Sequence, residues 1–67
     1  MKFEIGDLVT LSAAGRKVGQ NSPVLSGFGM IVEFTGHEWP ILCQWFGGEQ
    51  DAYSFKPYEL KFFKKNS

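Results

Sequence analysis

Pro40-Ile41-Leu42-Cys43-Gln44-Trp45-Phe46-Gly47-Gly48 is the stretch that decides the fold. Five aliphatic, aromatic and small residues and one Gln lie between a proline suited to the first position of a strand and a Gly-Gly pair that tolerates positive φ. Alternation sets Ile41, Cys43 and Trp45 on one face and Leu42, Gln44 and Phe46 on the other, with Gln44 marking the outer side. Toward the C-terminus, Asp51 to Phe55 alternates as a fourth strand. Lys56-Pro57-Tyr58-Glu59 then makes a tight turn, and Leu60-Lys61-Phe62-Phe63 supplies a short last strand. Lys64-Lys65-Asn66-Ser67 reads as a flexible basic tail beyond a domain spanning 1–63.

Toward the N-terminus, Gly36-His37-Glu38 is a turn and Met30-Ile31-Val32-Glu33-Phe34 a strand. Its parity places Met30, Val32 and Phe34 inward and leaves Glu33 in solvent. Gly27-Phe28-Gly29 opens that strand, with glycines where the chain bends sharply or approaches another backbone closely. Leu8-Val9-Thr10-Leu11 is the first strand, with Val9 and Leu11 inward, and Leu60 and Phe62 complete the expected core. The segment from Ser12 to Gly27 lacks a clean period and reads as one long loop, a feature that tends to carry function in so small a domain. Five short strands with Gly and Pro punctuation predict an all-β fold, most economically a single small five-stranded barrel with a long loop after the first strand.

Composition narrows the function classes. The chain has 67 residues, seven Lys+Arg against seven Asp+Glu, and one Cys. One domain fits that length. A single Cys forms no internal disulfide and builds no structural zinc cluster. No apolar run reaches the roughly 18 residues of a membrane span, and the early acids Glu4 and Asp7 do not suit a signal peptide, so a cytoplasmic location is expected. His37 stands without an assignable partner and Cys43 sits at an inward strand position. Glu49 and Asp51 flank a glycine turn. Gly27-Phe28-Gly29 lacks the helix and lysine of a phosphate cradle. No catalytic residue, metal or cofactor is therefore assigned, and the chain is not read as an enzyme.

Gly6-Asp7-Leu8-Val9, Gly29-Met30-Ile31-Val32, Trp45-Phe46-Gly47, Tyr53 and Glu59-Leu60 stand in an order that resembles the SH3-like small β-barrel superfamily. Within it the chain is similar to KOW-type modules and to short bacterial and bacteriophage proteins. The resemblance covers nearly the whole chain. It implies the SH3-like barrel and a phage or bacterial accessory protein, placed in the host cytoplasm if phage-encoded.

More aromatic residues are present than so small a barrel holds: seven Phe, two Trp and two Tyr. Trp39, Phe46, Tyr53 and Tyr58 are the expected contact residues for a protein partner, together with the Ser12–Ser26 loop. The alternative partner is nucleic acid or a ribonucleoprotein, gripped by Arg16, Lys17, Lys61, Lys64 and Lys65, with exposed rings stacking on bases.

Overall fold

The computed structural model describes residues 3–47 and 51–63. Strands β1 (Leu8–Leu11), β2 (Phe28–Phe34), β3 (Ile41–Phe46), β4 (Ala52–Phe55) and β5 (Leu60–Phe62) form one antiparallel sheet in the order β4-β3-β2-β1-β5. The fold is all-β in character. Strands β1 through β4 pair with their sequence neighbours where the chain is continuous in the sheet, and β5 returns to lie beside β1. Buried residues from all five strands share one cluster: Val9, Leu11, Ile31, Ile41, Cys43, Trp45, Phe55 and Leu60, joined by Val24.

The entry into β1 is fixed by its short polar residues. Gly6 has φ +96, a left-handed conformation natural to glycine. Asp7 Oδ2 accepts the Glu4 N–H at 2.8 Å, which closes the turn. Gly6 N–H donates to the Ile31 carbonyl at 2.8 Å and so docks the turn on β2.

Parity holds in β1 and β3, where Val9, Leu11, Ile41, Cys43 and Trp45 are buried. In β2 the inward face is the opposite of the expected one. Gly29 and Ile31 point into the core, whereas Met30 is half-buried and Val32 and Phe34 are exposed. Trp45 explains the choice, because a Cβ on Gly29 would strike its six-membered ring. The indole occupies the volume that a side chain at position 29 would need. Beyond Ile31 the register shifts, so that Glu33 pairs with Leu42. Phe62 shares the side of β5 that carries Leu60, yet it stays 41% exposed at the rim, 4.9 Å from the Phe3 ring.

The expected long loop is instead largely helical. A single turn of helix, α1 (Ala13–Arg16), is followed by a 3-10 segment at Gly19–Val24. Ser12 starts the turn as its N-cap. Its Oγ accepts the Gly15 N–H at 3.0 Å and donates to the Tyr58 carbonyl at 2.6 Å. Gly15 lies so close to the backbone of Glu59 that any Cβ would collide with it. Asn21, 4% exposed, donates from Nδ2 to the Gly15 carbonyl at 3.0 Å. Val24 enters the core, and Trp45 Nε1–H donates to the Ser26 carbonyl at 2.9 Å. The segment therefore closes over one end of the core. Periodicity misses it because its apolar contribution to that core is the single residue Val24.

Between β4 and β5, a 3-10 turn at Pro57–Glu59 carries the buried Glu59. The Glu59 Oε1 accepts the Lys56 N–H at 3.2 Å, so this carboxylate satisfies the turn's own backbone.

Candidate functional site

Side chains that alternate with the core residues line the outer face of the sheet. Two cross-strand rows define it. One row runs from Leu8 to its partner Met30, then Gln44, then Ala52, with Phe63 tied to Leu8 by a 2.9 Å backbone hydrogen bond. The other contains Lys61 opposite Thr10 and Phe28 opposite Phe46, with Thr10 Oγ1 donating to the Gly27 carbonyl between them.

Three phenyl rings meet on this face. Phe28 lies 5.6 Å from Phe46 and 4.8 Å from Phe63, the latter pair nearly parallel at 27°. Cross-strand rings in this arrangement attract through offset stacking. Among the described residues nothing covers the cluster: Phe28 and Phe46 are half-buried and Phe63 is 37% exposed. Leu8, Met30 and Leu42 are also only half-buried, and Val32 is 39% exposed. Contiguous apolar surface of this kind on a small domain marks a contact site more often than a lone exposed side chain does.

The four expected contact aromatics do not converge. Phe46 belongs to the outer face. Trp39 lies in the β2–β3 connection, where the Lys56 ammonium sits 5.3 Å from its ring centroid. Lys56 also reaches Glu38 at 3.9 Å, an exposed pair of little energetic consequence. Tyr53 is opposite Cys43 and packs against the core from the inner side. Tyr58, on the 3-10 turn, is 58% exposed and lies beside Ser12.

The basic residues also divide. Lys61 stands on the outer face, whereas Arg16 and Lys17 belong to the α1 end of the molecule. Arg16 Nη1 donates to the Leu25 carbonyl at 3.2 Å. Lys64 and Lys65 lie outside the described residues, as does Glu49. Phe28 and Phe63 are the site members that sequence reasoning left out. Phe28 carried a usable signal, since it precedes an alternating strand and falls opposite Phe46 once β2 and β3 are aligned as a hairpin.

Chemically reactive groups are sparse near this face. Burial pushes the Cys43 thiol up to about 12, which keeps it protonated at neutral pH. His37 is exposed, its backbone N–H donating to Thr35 Oγ1 at 3.4 Å. Among the described residues no three His, Cys, Asp or Glu side chains gather to hold a metal ion, and no helix is long and apolar enough to cross a membrane. Comparisons with protein-family models, curated proteins and solved structures find no match for this chain.

Proposed function

We propose that the chain is a non-catalytic interaction module with an SH3-like barrel fold, a phage or bacterial accessory protein that binds a protein partner through the outer face of its sheet. The single observation that carries this reading is the Phe28–Phe46–Phe63 ring cluster left open to solvent. Rings on neighbouring strands present a large, rigid contact area at little cost in rotamer entropy. The barrel is supported by strand order and by the shared core, in which Phe55 of edge strand β4 and Leu60 of edge strand β5 belong to the same buried cluster. Core contributions from both edges are what a curled sheet requires.

Trp39, Tyr53 and Tyr58 lie away from the ring cluster, so the reading now rests on Phe46 with Phe28 and Phe63. The test is cross-linking and capture under native conditions with the wild-type chain, with Phe46→Ser and with the double variant Phe46→Ser/Phe63→Ser. A protein captured by the wild type and lost by both folded variants agrees with the proposal. Equal capture by all three, or capture by none, refutes it.

Nucleic acid remains the second reading because Lys61 stands in the same cross-strand row as Phe28 and Phe46. It requires binding of a single-stranded oligonucleotide that weakens steeply as salt rises. A formally neutral chain provides little surplus charge for such binding.

A further inference from the structure

The outer face carries charge in a pattern that its apolar centre does not explain. Lys61 extends from β5 at one side, opposite Thr10. Glu33 extends from β2 at the other, opposite Leu42. Both are exposed, and neither is engaged in an ion pair or side-chain hydrogen bond within the described residues.

Their placement relative to Leu8 is symmetric. Phe46 and Leu42, the β3 partners of Phe28 and Glu33, are four residues apart, which is about 14 Å along the strands. Lys61 is offset from β2 by two strand spacings, or about 10 Å. Gln44 lies midway between Phe46 and Leu42, pairs with Met30, and is thereby in line with Leu8. Strand β1 lies midway between β5 and β2. Counted along and across the strands, Leu8 is the residue midway between Lys61 and Glu33, an apolar half-buried side chain flanked by Met30 and Phe63.

We propose that the occupant of this face is a second copy of the chain, in a twofold contact with Leu8 at its axis, where Lys61 of each copy meets Glu33 of the other. The inference rests on the reading of the face as a protein-contact surface. A twofold contact is self-complementary, so one cation and one anion equidistant from an apolar centre become two ion pairs around it. Net charge favours the same occupant. With seven basic and seven acidic residues, two copies approach without overall repulsion. A polyanion, by contrast, meets Glu33 as a repulsive group. A standard interface buries roughly 800 Å² per partner, and a contact confined to one face of a 67-residue chain is expected to give a weak dimer.

Sedimentation equilibrium of the full chain tests this, with loading concentrations up to about 1 mM to reach weak association. The weight-average mass should rise from 7.6 kDa toward twice that value with concentration. Lys61→Glu and Glu33→Lys should each weaken association about tenfold by turning attraction into repulsion at both symmetric contacts. The double variant Lys61→Glu/Glu33→Lys should restore it. Both side chains are exposed, so each variant should stay folded, which circular dichroism checks.

A monomer at every concentration overturns the inference, as does a dimer indifferent to either single substitution. If the chain stays monomeric while a Phe46-dependent protein is still captured, the dimer is wrong and the contact surface stands. Oligonucleotide binding that Lys61→Glu abolishes and the double variant does not restore overturns it in favour of nucleic acid.

Discussion

The two faces of this sheet carry the same type of side chain in different surroundings. On the inner face, the Trp45 and Phe55 rings lie 5.4 Å apart with no exposed surface, and the indole N–H is bonded to the Ser26 carbonyl. On the outer face, Phe28 and Phe46 are 5.6 Å apart at similar tilt and remain partly in water. Ring geometry is nearly the same. What differs is closure: α1, the 3-10 segment and the turn before β5 cover the core from the side, and no described element covers the outer rings. Aromatic content alone therefore does not separate buried rings from open ones in this chain; the side of the strand does.

The strongest way to break that comparison is to truncate the inner rings. Trp45→Ala removes the largest fully buried side chain and leaves a cavity beside Gly29 and Phe55. A loss of about 3–5 kcal/mol is expected, enough to unfold much of a domain this small. Urea denaturation followed by circular dichroism measures it. A loss below about 1 kcal/mol would mean that the indole is not the centre of the core.

Gly29→Ala tests the same packing from the opposite direction. The added methyl meets the Trp45 ring, so either the indole moves or β2 separates from β3. Overpacking of this kind costs about 1–3 kcal/mol. The midpoint of thermal unfolding should fall accordingly, with Trp45 fluorescence shifting in the folded state as the ring is displaced. An unchanged midpoint and spectrum would contradict the close approach.

Gly29 also shows where sequence reading reached its limit. β1 and β3 are legible because their apolar and polar residues separate cleanly by parity. β2 has Phe28, Met30, Val32 and Phe34 on one parity and only Ile31 with a glycine on the other, so counting apolar groups selects the wrong face. The deciding contact is made by Trp45, which is distant in sequence. The segment from Ser12 to Gly27 reads as a loop for a related reason. Its helical turns are held by Ser12, Gly15 and Asn21 through hydrogen bonds and a glycine approach to Glu59, and no apolar stripe announces them. For the site, the surplus of rings was legible, and so were Phe46 and Lys61. Which rings meet was not, because that depends on the register between β2, β3 and β5.

Cys43 sharpens the account of the inner face through pH. The thiol ionises near its ordinary value of 9.0 in the unfolded chain and only at about 12 when buried. Between these values the folded state holds a proton that the unfolded state has released, so rising pH favours unfolding. The contribution is complete below about pH 9 and declines by about 1.4 kcal/mol per pH unit above it. Denaturant titrations at pH 8, 9.5 and 10.5 should show this slope, and Cys43→Ala should flatten it while lowering stability at pH 8, so that the difference between the two chains shrinks as pH rises. An identical slope in the variant would assign the alkaline loss to other groups.

The smallest effect on stability carries the most information about function. Phe46→Ser removes an outer ring whose main described contact is Phe28, so the folded state loses about 1 kcal/mol or less, through one ring pair and little buried area. The same substitution is expected to abolish protein capture. Inner and outer faces thus make opposite predictions for a ring lost from the same strand. Trp45, the residue immediately before Phe46, is expected to decide whether the chain folds, and Phe46, on the proposed reading, what it touches. If Phe46→Ser destabilised the chain as much as Trp45→Ala, the outer rings would be a second core and the distinction between the faces would fail. A stable Phe46→Ser with unchanged capture would keep that distinction and move the contact surface elsewhere, with the exposed Tyr58 beside Ser12 the next position to vary.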